Sequence, residues 1–210
     1  MATHNLKLGI IMDPTESINI KKDSSFAMLL AAKRKDWQIF YHQQGDIFQQ
    51  DESVFAHTRS LHVEDNGDNW FTAGDVQEIN LADLDVILMR KDPPFDMEYI
   101  YTTYLLEHVE KKGTLVINKP ASLRDANEKL FATQFPQCCT KTLVTSHPRK
   151  LRDFINAQAD VILKPLDGMG GQSIFRVTPG DPNLSVIIET MTRHGNTTIM
   201  AQKFIPEITQ

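Results

Sequence analysis

Short apolar runs separated by polar, turn-forming residues set the rhythm of the chain. Leu6–Met12 is long enough for a buried strand and ends at Asp13-Pro14. Asp23-Ser24-Ser25 offers side-chain oxygens to cap a helix over Phe26–Lys35, and Trp37–His42 reads as the next strand. Strand, helix and strand in that order predict a βαβ unit. Asp85–Met89 and Leu115–Ile117 are further apolar runs suited to buried parallel strands. Between them Met97, Ile100, Tyr101, Tyr104, Leu105 and Val109 recur at helical spacing, with Gly113 placed to end the helix. Residues 46–80 keep no single period: Val54–Ala56 and Leu61–Val63 stand among polar spacers, and a hairpin followed by a long loop is expected. Residues 1–121 are therefore predicted to form a doubly wound α/β domain around a parallel sheet.

A different rhythm follows. Ser122–Phe135 is predicted to be a helix stopped by Pro136, and Thr142–Thr145 a short strand. Pro148–Ala159 reads as helix, and Val161–Leu166 and Ser173–Val177 as strands around a glycine-rich turn. Asp181-Pro182 supplies a cap and a first-turn proline for a helix with Leu184, Ile187, Ile188 and Met191 on one face. Gly195 ends it, and Thr198–Ile205 is the last strand. This order predicts a compact α+β module over 122–210 rather than a second doubly wound sheet.

Composition narrows the options. An apolar fraction of 41% and a charged fraction of 23% over 210 residues are those of a globular protein long enough for one large domain or two small ones. The net charge of −5 gives no bulk attraction to nucleic acid or anionic membranes. No apolar run approaches the roughly 20 residues of a membrane helix. The opening stretch MATHNLKLGIIMD ends in an acid and reads as a strand, not a signal peptide. Cys138 and Cys139 are adjacent, without zinc-site spacing; two reduced thiols and a cytoplasmic location are expected.

The densest chemical signal is Val161-Ile-Leu-Lys164-Pro-Leu-Asp-Gly168-Met169-Gly170-Gly171-Gln-Ser173. An apolar strand carries a lysine and then enters a turn whose glycines let backbone N–H groups approach an anion closely. It is neither the P-loop nor the G-x-G-x-x-G pattern. A plain hairpin turn with a snorkelling lysine is the alternative, against which stands the cost of an interior ammonium without an anion. Asn127-Glu-Lys129-Leu-Phe places a second lysine on the expected first helix of the module, where it could equally be a solvated surface residue. Met200-Ala-Gln202-Lys203-Phe204-Ile205-Pro206 ends the last strand and by itself is ordinary.

Taken together, these three stretches resemble the nucleotide site of ATP-grasp ligases in order and spacing. Four longer ones, Leu8–Pro14, Ile18–Phe26, Asp85–Asp96 and Val161–Phe175, are similar to the bacterial glutathione synthetase family, and the resemblance covers nearly the whole chain. It implies a pre-ATP-grasp domain followed by the first lobe of an ATP-grasp domain. Lys129 and Lys164 would neutralise ATP phosphates under the Gly168, Met169, Gly170 and Gly171 turn. Gln202 and the backbone of Lys203 and Ile205 would hold adenine against Ile162. Asp13, Ser24, Arg90 and Asp92 would form a wall of the peptide site, although Arg90 and Asp92 could instead be a structural ion pair. The family joins γ-glutamylcysteine to glycine through an acyl phosphate and implies a homo-oligomer. Its Mg2+ ligands lie in a Glu-x-Asn motif without counterpart here, so these 210 residues are expected to be an incomplete chain, inactive alone. A ligase for another carboxylate and a nucleotide-binding module without catalysis are the competing readings.

Overall fold

Alternation along the first strand sorts its side chains into two cores. A computed structural model of the chain describes residues 5–67, 69–167 and 170–209, in two compact units, Met1–Asp125 and Ala126–Gln210. In β1 (Lys7–Ile11), Leu8 and Ile10 pack with Phe26, Leu29 and Ala32 of α1 (Ser24–Lys33). Ile11 points the other way, into a cluster with Tyr99, Leu106 and Val109 of α2 (Met97–Lys111). One helix on each face makes the unit doubly wound.

β1 pairs in parallel with β2 (Gln38–His42) and with β6 (Val86–Met89), and β6 with β7 (Leu115–Ile117). The three apolar runs expected to share one parallel sheet do so. Beyond β2 the sheet turns antiparallel through β3 (Ile47–Gln50), β4 (Ser53–Val63) and β5 (Phe71–Asn80). Three strands thus replace the expected hairpin and long loop. β4 buries Val54 and Ala56 beside α2's core but Leu61 and Val63 beside α1's, so its apolar positions change parity midway. β5 is largely exposed on both faces and carries no alternation for a reader to find.

Two helices depart from expectation. In α2, Met97, Tyr101 and Tyr104 are exposed, and Thr102 and Thr103 are buried in their place. The threonine hydroxyls donate to the carbonyls of Glu98 (2.9 Å) and Ile100 (2.6 Å), which removes the cost of burying them. The expected helix over 122–135 is split. α3 (Pro120–Asp125) stays with the first unit, where Arg124 bonds the Thr103 hydroxyl at 2.9 Å, pairs with Glu107 and lies 4.5 Å over the Tyr104 ring. Asn127 then interrupts: its side-chain carbonyl accepts the N–H groups of Lys129 and Leu130, making a turn where helix was expected.

In the second unit β8 (Thr142–Thr145), α4 (Pro148–Gln158), β9 (Val161–Pro165), β10 (Phe175–Val177), α5 (Leu184–Thr192) and β11 (Ile199–Lys203) follow the expected order. The antiparallel sheet runs β10-β9-β11-β8. β10 starts later than expected because Ser173 has φ +57°, a left-handed backbone no strand continues. α5 also starts late: Asp181 accepts the Asn183 N–H at 2.8 Å, a turn that leaves Pro182 outside the helix.

Candidate functional site

Both longer helices described in the second unit pack on one face of its sheet. Val161, Leu163, Ile199 and Ala201 form a core with Leu151 and Ile155 of α4 and Ile188 of α5. Strand alternation therefore sends Ile162 and Lys164 to the opposite face. Pairing places Arg176, Ile162, Gln202 and Thr142 in one row across that face, and Lys164, Met200 and Val144 in the next. The Gln202 amide donates to the Thr142 hydroxyl at 2.9 Å.

Lys164 is half-buried there. Burial holds its pKa below the ordinary lysine value, and the Lys129 ammonium lowers it further, while Cys139 acts in the opposite direction. The two lysines are brought together by Asn127. Its side-chain carbonyl shapes the turn that carries Lys129, and its amide donates to the Leu166 carbonyl, at the exit of β9, at 3.1 Å. Asn127 escaped the sequence reading. The available signal was an Asn two residues before the lysine, the position from which it can accept that lysine's N–H.

Past Lys164 the chain enters the glycine-rich turn. Gly168 and Met169 lie outside the described residues. Gly170 (φ +65°) and Gly171 (φ +78°) occupy the left-handed region, where nothing would touch an added Cβ; the backbone, not space, demands glycine. At the far end of the face, Lys203 donates its N–H to the Lys141 carbonyl, and the Ile205 carbonyl accepts from Ile208. A cavity of about 530 Å³ opens between β8 and the preceding segment, lined by Leu130, Pro136, Cys139, Lys141 and Thr142 among others.

The first unit has its own cleft, about 370 Å³, at the carboxyl ends of β1 and β6 and the N-terminus of α1. Asp13, Asn19, Lys22, Asp23, Ser25, Arg90 and Asp92 line it. The alternative of an ion pair between Arg90 and Asp92 is not realised among the described residues. Arg90 donates instead to the hydroxyls of Ser25 (3.1 Å) and Ser24 (2.7 Å), which hold the guanidinium at the helix start. Asp13 takes the Lys91 ammonium at 2.7 Å and the Asp92 N–H at 3.0 Å, bracing the loop after β6. The Tyr41 hydroxyl bonds the Asp13 carbonyl at 3.4 Å, and burial pushes its pKa up to about 12.

Among the described residues, no three His, Cys, Asp or Glu side chains gather closely enough to hold a metal ion. Nor, among them, is any helix long and apolar enough to cross a membrane.

Comparison with known proteins agrees with both units. Residues 6–124 match the family model for the prokaryotic glutathione synthetase N-terminal domain, and residues 128–210 that for its ATP-grasp domain. Glutathione synthetase of Pseudomonas putida is 58% identical over 204 residues, 97% of this chain and 64% of that protein. The Escherichia coli K12 protein of the same name is 57% identical over 203 residues, with the same coverage. The chain thus spans 64% of the length of these curated relatives. Among solved structures, D-cycloserine synthetase DcsG shares the fold at a TM-score of 0.61 and 15% identity, over 95% of this chain and 59% of that one. With a domain model matched across each unit, the chain belongs to the prokaryotic glutathione synthetase family.

Proposed function

We propose that the complete protein is a glutathione synthase, an ATP-dependent ligase joining γ-glutamylcysteine to glycine. The observation that carries the phosphate half of this reading is the convergence of Lys129 and Lys164 on the sheet face opposite α4 and α5, beside a glycine turn. The partly dehydrated Lys164 ammonium, with the Lys129 ammonium beside it and Glu128 3.5 Å from Lys129, forms a site suited to a polyanion. The 57–58% identity to glutathione synthetases supports the choice of peptide and amine.

In this reading a carboxylate oxygen of the peptide's C-terminus attacks the γ-phosphorus and ADP departs. The glycine amine then attacks the acyl carbon, inorganic phosphate leaves, and the nitrogen gives up its proton to form the amide. Lys129, Lys164 and the Gly168–Gly171 turn neutralise and position phosphates. Adenine rests on Ile162 beside Gln202. With the Lys203 N–H and the Ile205 carbonyl already used, the Lys203 carbonyl and the Ile205 N–H are the hinge groups assigned to the base. Arg90, held by Ser24 and Ser25, supplies a cation to the peptide's carboxylates, with Asp13 and Asp92 bracing its loop.

We assign magnesium to the part of the relatives' length that this chain does not span, and expect no turnover from the 210 residues alone. A cytoplasmic homo-oligomer completes the proposal. Phosphate release coupled to glutathione formation, measured on the complete gene product with γ-glutamylcysteine, glycine and ATP, tests it. Release that ignores γ-glutamylcysteine but responds to another carboxylate would reassign the substrate. Nucleotide binding without turnover on any carboxylate would make the protein a binding module.

A further inference from the structure

Asp160, Arg176 and Phe204 meet at the end of the second sheet in an arrangement the proposed reaction does not use. Arg176 donates to both carboxylate oxygens of Asp160, from Nε at 2.9 Å and from Nη2 at 2.7 Å. Its guanidinium carbon lies 3.7 Å from the centre of the Phe204 ring. Phe204 in turn donates its N–H to the Asp160 carbonyl at 2.9 Å. Asp160 precedes β9, Arg176 is the middle residue of β10, and Phe204 follows β11 directly, so the three close a ring across three strands.

An exposed ion pair is ordinarily worth little, and Arg176 is exposed. Three features set this one apart. The pairing is bidentate, which fixes the guanidinium plane. That plane is stacked on an aromatic ring, which fixes it again. The ring belongs to the segment between Lys203 and Ile205, the two residues whose backbone groups are assigned to adenine above. Arg176 also stands opposite Ile162 in the pairing of β10 with β9, beside the proposed platform for the base.

We propose that Arg176 is a positioning residue for nucleobase selection: with Asp160 and Phe204 it forms a clasp that sets the backbone of the adenine hinge. The inference rests on the reading of this face as the ATP site. A backbone donor and acceptor discriminate adenine from guanine only while their spacing and direction are held, because the two bases present opposite hydrogen-bonding groups at their six-membered edge. A loosened hinge still binds phosphates through Lys129 and Lys164 but reads the base poorly.

The experiment is calorimetric titration of the complete gene product with ADP and with GDP, for the parent and for Arg176→Lys, Phe204→Leu, Phe204→Tyr and Lys164→Ala. Arg176→Lys keeps the charge without the fork, and Phe204→Leu keeps apolar bulk without the ring. Each is expected to cut ADP affinity about ten-fold while GDP affinity stays nearly level, with little change in melting temperature. Phe204→Tyr retains the ring and is expected to keep the preference. Lys164→Ala is expected to weaken both nucleotides alike. If Arg176→Lys folds poorly, Phe204→Leu carries the comparison. An unchanged ADP-to-GDP ratio in Arg176→Lys and Phe204→Leu, with Lys164→Ala still weakening binding, overturns the clasp and leaves the nucleotide site standing. A parent that binds neither nucleotide overturns both.

Discussion

The two sheets bury themselves differently, and each exposes its chemistry where the burial stops. At the centre of the first sheet, α1 and α2 cover opposite faces, so Ile10 and Ile11 are both fully buried although they point in opposite directions. No face remains for a ligand, and the cleft opens at the strand ends, where Asp13 and Arg90 leave β1 and β6. The second sheet carries α4 and α5 on one face only. Leu163 is buried and its neighbour Ile162 only partly, so the opposite face keeps Ile162 and Lys164 partly accessible, although Met200, opposite Lys164, is buried. Helix count per face thus decides how much of each sheet's surface stays accessible.

The largest effects should come from the side chains that define this contrast. Ile10→Ala and Ile11→Ala are each expected to cost about 2–5 kcal/mol, since both faces are core. In β9, Leu163→Ala should cost as much and Ile162→Ala about 1 kcal/mol or less. Denaturant titration of the four variants checks this; equal losses at 162 and 163 would mean that the second sheet is also covered on both sides.

Next comes a pH effect confined to the first unit. His42 is buried at the end of β2, its Nδ1 is 3.4 Å from the Thr58 hydroxyl, and its Nε2 has no partner among the described residues. Burial lowers its pKa from 6.5 to about 4. The unfolded chain therefore binds the proton more readily. Stability should be level above pH 6.5, fall by about 3 kcal/mol towards pH 4, and level out below. Trp37 and Trp70 both lie in this unit, so tryptophan fluorescence follows it alone. His42→Gln should flatten the profile; an undiminished slope would place the sensitivity elsewhere.

Lys164→Ala is expected to cost about 1.5–3 kcal/mol of ATP binding in the complete gene product, the range for a contact to a charged group. Lys35→Ala, on the exposed surface past α1, should cost almost nothing. Comparable losses from both would remove the strand lysine from the phosphate site. The smallest effect sharpens the stability of the second unit: Ala159 ends α4 at φ +65°, so Ala159→Gly should raise that unit's stability by about 1 kcal/mol, read by circular dichroism.

Legibility in the sequence followed burial. β1 and β6 stood out because interior parallel strands are unbroken apolar runs; β7 is equally apolar but is an edge strand with Leu115 and Ile117 exposed, and the second unit's strands kept their order. β5 was invisible because neither face is buried, and α2's inward face was misjudged because Thr102 and Thr103 satisfy their own hydroxyls. At the site, the residue types were readable and their ties were not. Lys129 and Lys164 stood out singly, but their approach depends on Asn127 reaching Leu166 across 39 positions of chain. Ser24 and Arg90 stand 66 positions apart, and only the fold shows that one orients the other.

β4 reaches further than its place near the sheet's edge implies. It meets β3 across the turn at Asp51-Glu52, pairs with β5 along nearly its whole length, and is the strand through which both join β2. Its partners are close in sequence, whereas β1, β6 and β7 meet only after long crossovers. Contacts of short sequence separation close with the least loss of chain freedom. The antiparallel meander should therefore assemble early and present β2 as a template on which the parallel strands dock. In hydrogen–deuterium exchange, the β4 amides around Thr58 should be among the last to open.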